Sequence, residues 1–226
     1  MAVPRGIGKP DRMRDNHAGA GVASRPKGVF FMELPLVVGI TGASGAVYGI
    51  RMLEVLRQGG IPAHLIISRS AAQTLSEEID MPVDKARALA DVVYPNSDLG
   101  AAVSSGSFKT RGMIVIPCSI RTLSDIAYGD TDTLVSRAAD VTLKERRRLV
   151  LVVRETPLHA GHLRSMLAAT ENGAIIMPPV PAFYHRPRTI DDIVNQTVGR
   201  ALDLFDIDAG IVKRWRTETA DSEKAG

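Results

Sequence analysis

From residue 34 onward the chain alternates short, unbroken apolar runs with longer mixed stretches, and that alternation constrains the fold more than any other feature. Leu36 to Ile40 (LVVGI), Ala63 to Ile67 (AHLII), Met113 to Ile116, Leu149 to Val153 and Ala174 to Met177 read as five strands. The intervening stretches carry helical patterning. They run over Val47 to Gln58, Arg69 to Ile79, a short piece at Val83 to Asp91, Thr122 to Ala127, Leu134 to Glu145, His162 to Glu171 and Thr189 to Phe205. The segment from Asp98 to Lys109, which carries SSGS, reads as loop-like at its end. Strands apolar throughout must be covered on both faces, and strands separated by helices pair in parallel. The predicted fold is therefore α/β, a doubly wound, mostly parallel sheet in a single domain. At 226 residues one core suffices.

Composition excludes several functions. The single cysteine, Cys118, rules out an intramolecular disulfide framework and any multi-cysteine metal centre. It suits a reducing, cytoplasmic setting. No apolar run is long enough for a membrane span. The isoelectric point near 9.2 invites a nucleic-acid reading, but the charge distribution does not support one. Residues 1–32 hold six Lys/Arg against two acids, so the body carries a slight negative balance. The aromatic content is also too low for base-stacking platforms. Domain boundaries are expected at 1–33 (an N-terminal extension), 34–210 (the folded domain) and 211–226 (a C-terminal tail). The Gly-, Arg- and Pro-rich residues 1–32 read as disordered. A targeting peptide and a true start at Met32 are the other readings.

In open parallel sheets, ligands bind outside the carboxyl ends of the strands. The residues following each run are therefore the informative ones. They are Thr41-Gly42-Ala43-Ser44-Gly45, then Ser68, then Pro117 to Thr122, then Arg154-Glu155, and finally a Pro-rich turn with Phe183-Tyr184. Glycines, hydroxyls and helix N-termini collected on one edge imply phosphate binding. A tight strand-to-helix turn with Ser or Thr as helix cap explains any one of them alone. The first turn spaces its glycines as Gly39, Gly42 and Gly45, which is not the dinucleotide pattern. No acid follows where an NAD ribose needs one, and no P-loop is present. A mononucleotide such as FMN fits better.

Among the cations, Arg137 and Lys144 are seven residues apart and share a helix face. Arg146, Arg147 and Arg148 read as a solvated basic helix end. Arg154 ends an apolar strand, so it either pairs with a carboxylate or faces a ligand. Asp191 and Asp192 read as caps of the last helix, Cys118 as a small buried hydrophobe, and His159 with His162 as too few for a metal site. No metal is expected.

Four segments together carry a resemblance. TGASGAVYGIR (Thr41 to Arg51), PCSIRTLSDIA (Pro117 to Ala127), RAADVTLKERRRLVLVVRETPL (Arg137 to Leu158) and MPPVPAFYHRP (Met177 to Pro187) resemble the flavin prenyltransferases of the UbiX family, in order and spacing. The similarity runs from about Leu36 to Trp215. It implies a Rossmann-like flavoprotein that moves a dimethylallyl group from dimethylallyl phosphate to N5 and C6 of reduced FMN. The product, prenylated FMN, serves UbiD-type decarboxylases, usually in ubiquinone biosynthesis. The resemblance also implies a large homo-oligomer, typically a dodecamer, with sites at subunit interfaces.

Carried over by motif, Gly42, Ala43, Ser44, Ser68, Ser119, Ile120, Arg121, Thr122 and Arg137 would hold FMN. Lys144, Arg154, Tyr184 and Arg200 would bind the prenyl phosphate, and Glu78 and Glu155 would handle protons, with Ser44 near the flavin and Lys144 also catalytic. Trp215 falls where the family has a C-terminal aromatic. Arg69 and Arg148 depart from the family's usual Lys and Pro. Glu78 lies ten residues beyond Ser68, about 15 Å along a helix, and is expected to complete a neighbouring subunit's site. The competing readings are an FMN-dependent decarboxylase, which wants a His where the first turn offers Ser44, and an FMN carrier, which has no use for a second phosphate site.

Overall fold

A computed structural model describes residues 33–215. The expected N-terminal extension over 1–33, apart from Glu33, and most of the expected tail therefore lie outside the described residues. In chain order the elements are β1 (Leu36–Ile40), α1 (Ala46–Gln58), β2 (Ala63–Ile67), α2 (Arg69–Ile79), α3 (Val83–Arg87), β3 (Val92–Pro95), a 3-10 turn (Ala102–Ser104), β4 (Gly112–Cys118), α4 (Ile120–Tyr128), α5 (Leu134–Lys144), β5 (Arg148–Val153), α6 (Ala160–Glu171), β6 (Ile175–Ile176) and α7 (Ile190–Asp203). The six strands form one sheet, entirely parallel, in the order β3-β2-β1-β4-β5-β6.

The central strands are apolar because both of their faces are covered. On one face Leu36, Val38 and Ile40 pack with Met52, Leu53 and Leu56 of α1 and Val198 and Leu202 of α7. On the other, Val37, Met113 and Val115 pack with Leu123 of α4 and Leu134 and Ala138 of α5. Successive strand residues alternate between the two clusters, as the period-2 geometry requires. Each fully buried Leu or Ile removes enough apolar surface from water to contribute roughly 1.5–3 kcal/mol.

The expected five strands miss β3. It is an edge strand bonded only to β2, and Val92 and Val93 are exposed, so no buried apolar run marks it. The helix expected to run to Asp91 stops at Arg87, and Asp91 instead accepts the Ala63 N–H through its side chain at 2.8 Å. Strand order reverses between β1 and β4: the chain runs from β1 through β2 to β3 on one side, then returns to β4 on the other side of β1. That reversal is the switch point where parallel sheets open a crevice.

Candidate active site

The crevice is built around one buried hydroxyl. Thr41, directly after β1, donates from Oγ1 to the Pro117 carbonyl at 2.8 Å and accepts the Ser119 N–H at 2.8 Å. It locks the end of β1 to the end of β4, so the two turns that follow face one opening. Gly45 caps α1 at φ 99°, a left-handed conformation that suits glycine. Gly42 is a glycine for want of room: a Cβ there would lie 2.3 Å from Ser70 Oγ.

Among the described residues the amides of Gly42 and Ser44 have no partner, and neither do those of Ile120 and Arg121 in the first turn of α4. These N–H groups, at two helix N-termini, form a donor set for an anion. Hydroxyls extend it. Ser119 accepts the Thr122 N–H and donates to Thr122 Oγ1 at 3.1 Å, which leaves the Thr122 hydroxyl proton for an outside acceptor. Ser68 caps α2 by accepting the Ala71 N–H at 3.1 Å and touches Ser70 Oγ.

Glu78 stands in this opening, within its own subunit. Its Oε2 accepts the Gly45 and Ala46 N–H groups at 2.8 and 2.9 Å. The expectation that it serves a neighbour is therefore corrected. That expectation assumed that α2 runs back down the sheet. Instead α2 lies along the first turn, with Ser70 near its start against Gly42 and Glu78 near its end against Gly45. Partial burial works against ionisation of Glu78. The Ser44 hydroxyl, the Ala46 and Gly45 amides and the Arg154 charge outweigh it and hold the carboxyl below the usual range.

Arg154 follows β5, its amide bonded to the Cys118 carbonyl at 3.1 Å. Its side chain forms no ion pair among the described residues and acts electrostatically on Glu78 and Tyr48. Glu155, next to it, is exposed and, among the described residues, accepts only its neighbour's Thr156 N–H. Ser44, Glu78 and Arg154 thus share one mouth beside the free amides.

The other predicted residues divide. Arg137, in the first turn of α5, is bonded to Asp140 at 2.9 Å. Arg121 is almost fully exposed, 3.9 Å from Asp125. Lys144 is remote within one chain. The α5 helix begins at the carboxyl edge, where Leu134 N donates to the Asn96 carbonyl, and its eleven residues carry Lys144 about 16 Å to the opposite edge. There it pairs with Glu145 at 2.6 Å beside Gly106.

Arg147 and Arg148 are not a solvated end. Arg147 donates to the Phe108 and Gly106 carbonyls at 2.7 Å each, pinning the serine-rich loop, and Arg148 bonds the Leu204 carbonyl and Asp206. Arg200 pairs with Asp203 at 2.6 Å, and Asp203 also takes Arg214. Tyr184 meets Trp215 edge-on at 5.5 Å between ring centroids. Asp192 completes a capping box with Thr189 and Cys118 is fully buried, both as the sequence indicates, while His159, for which the sequence suggests no such role, caps α6.

An all-parallel sheet with a crevice at its switch point, lined by hydroxyls and unpartnered amides among the described residues, is the architecture of a flavoprotein-like α/β fold. The family model described as Flavoprotein matches residues 32–202. Within that class the chain belongs to the flavin prenyltransferase UbiX family. It is 61% identical over 173 residues to flavin prenyltransferase UbiX of Escherichia coli, covering 76% of this chain and 92% of that one. It is 54% identical over 180 residues to the Thauera aromatica enzyme, covering 80% and 93%. Among solved structures, AnUbiX (PadA1) in complex with FMN and dimethylallyl pyrophosphate superposes at TM-score 0.80 with 53% identity, covering 81% of this chain and 97% of that one. A dodecameric FMN-dependent UbiX-like decarboxylase from Escherichia coli superposes at 0.79 with 47% identity, covering 81% and 100%. Among the described residues no helix is long and apolar enough to cross a membrane.

Proposed function

We propose that this chain transfers a dimethylallyl group from dimethylallyl phosphate to N5 and C6 of reduced FMN, supplying prenylated FMN to a UbiD-type decarboxylase. The observation that carries this reading is the shared mouth of Ser44, Glu78 and Arg154 beside four partnerless amides. The residues present fit the flavin mononucleotide. Gly42, Ser44, Ile120 and Arg121 offer N–H groups to its phosphate, Ser68 and Thr122 offer hydroxyls to its ribityl chain, and Ala43 and Arg137 flank them. The bound flavin supplies the nucleophilic atoms, and the chain supplies charge and proton handling.

A phosphate leaves readily only when its growing charge is neutralised. Arg154, Arg200 and the Tyr184 hydroxyl are the groups assigned to it in this chain. Lys144, held at the opposite sheet edge, reaches such a site only from a second copy. We therefore include Lys144 of a neighbouring subunit, in a homo-oligomer that we take to be a dodecamer. Glu78, kept ionised by its neighbours, accepts the proton released from the flavin carbon, and Ser44 orients it. Glu155 is the second carboxylate at that mouth.

The test is anaerobic incubation with reduced FMN and either dimethylallyl phosphate or the pyrophosphate, followed by mass spectrometry of the released flavin. A gain of one C5H8 unit, lost in Lys144→Ala, is the expected result. Unmodified FMN recovered from protein that demonstrably binds it, with either donor, would reject the transferase reading in favour of a decarboxylase or a carrier.

A further inference from the structure

The geometry points to Gln196 as a positioning residue that sets the direction of the Tyr184 hydroxyl proton. This inference rests on the reading of Tyr184 as a prenyl-phosphate ligand. Gln196 lies on α7 and is only 4% exposed, unusual for a polar side chain of its size. All of its described polar contacts go to two places. Its Oε1 accepts the Lys213 N–H at 3.0 Å, and its Nε2 donates to the Lys213 carbonyl at 3.2 Å and to Tyr184 Oη at 2.8 Å.

The Lys213 backbone decides which way the amide faces. In the flipped orientation the amide oxygen would oppose the Lys213 carbonyl, and the NH2 would oppose the Lys213 N–H. That would place two acceptors together and two donors together in a buried site. With the orientation so decided, the group facing Tyr184 Oη is NH2, which can only donate. The phenol oxygen is then the acceptor of that bond, and its own proton must point elsewhere. Accepting a hydrogen bond also polarises the phenol and strengthens it as a donor. An anionic oxygen is the partner such a phenol suits.

The same amide fastens the chain over α7. Gly199, one turn along from Gln196, leaves space for Ile211 and Val212, since a Cβ there would lie 2.4 Å from Val212. Arg214 is bonded to Asp203 through both of its carboxylate oxygens. Trp215 then closes edge-on against the Tyr184 ring. One buried side chain thus couples the hydroxyl's direction to the seating of residues 211–215.

The experiment is a double-variant cycle of Gln196→Met and Tyr184→Phe, read as the KM for dimethylallyl phosphate, kcat and FMN affinity. Tyr184→Phe is expected to raise the prenyl-donor KM about tenfold or more, the loss of a hydrogen bond to a charged group. Gln196→Met is expected to raise the same KM several-fold, leave FMN affinity unchanged and add nothing in the Tyr184→Phe background. Gln196→Glu keeps the shape and the acceptor for Lys213 N–H, loses the donor to the Lys213 carbonyl, and turns the Tyr184 hydroxyl toward its carboxylate as a hydrogen-bond donor. It is expected to raise the donor KM at least as much as Met, and it keeps the test open if the Met variant does not fold. Additive effects in the double variant, or an unchanged donor KM in both Gln196 variants, would overturn the proposal while leaving Tyr184 as a ligand. An unchanged donor KM in Tyr184→Phe alone would remove the ligand reading, and the proposal with it.

Discussion

Removing the Glu78 carboxylate separates two roles that the structure gives one side chain. Helix α1 has no side-chain cap of its own, because Gly45 stands at its N-cap position. Glu78 supplies the cap from α2, taking the Gly45 and Ala46 amides on one oxygen. Losing a helix cap costs about 1 kcal/mol, and losing the negative charge at a helix N-terminus a few tenths more. Glu78 is exposed and water partly replaces it, so Glu78→Ala is expected to lose about 1 kcal/mol in urea denaturation. Glu78→Gln keeps an acceptor for the same amides and is expected to lose about half as much.

Catalysis should order differently. Gln cannot accept a proton, so both variants are expected to lose prenyl transfer by roughly 10²–10⁴, the usual worth of a positioned base. The folded carboxyl lies below its ordinary 4.5, so its stabilisation is fully present above that value and is lost as pH falls through the lowered one. The stability gap between parent and Gln variant should therefore be flat from neutrality to about pH 5 and shrink below it. A Gln variant that turns over within threefold of the parent would refute the proton-accepting role. An Ala variant that unfolds at the parent's urea concentration would refute the cap.

Three further outcomes test the frame of the site. Gly49→Ala places a Cβ 2.6 Å from the Ile116 carbonyl and 2.9 Å from Ile40, so α1 must move off the sheet, at about 1–3 kcal/mol in chemical denaturation. Thr41→Val keeps the shape of Thr41 and the bond from its backbone N–H to the Pro117 carbonyl, but strands the Ser119 N–H. It should cost about 1–3 kcal/mol and weaken FMN binding in a fluorescence titration, because the two turns lose the side-chain part of their lock. Cys118 is wholly buried, and burial pushes its thiol far above the ordinary value. A thiol reagent at neutral pH should label it only after denaturant is added, and prompt labelling of the native protein would contradict that placement.

Much of this protein is legible residue by residue. The runs LVVGI and AHLII give β1 and β2 with the bounds read from the sequence, because a strand covered on both faces must be apolar throughout. Ser68 and Thr189 stand where the sequence starts their helices and are N-caps, because a hydroxyl bonded to the backbone needs only local geometry. The misses share the opposite character. Strand β3 is exposed and takes its strand state from β2 alone. Arg147 reads as a solvated charge until the carbonyls of Gly106 and Phe108, some forty residues away, are found against it. Gln196 is one glutamine in a helical pattern, and nothing near it in sequence signals a bond to Tyr184 or Lys213.

The sequence by itself determined the fold class and the family, since apolar runs and contiguous motifs are local and survive in one dimension. Only the tertiary structure decided which functional groups meet. The path of α2 across the first turn brings Glu78 into its own subunit's crevice, and the length of α5 carries Lys144 away from it. Helix direction over a sheet is set by packing against other elements. A side chain ten residues from a strand end can therefore arrive at the site or leave it with no change in local pattern.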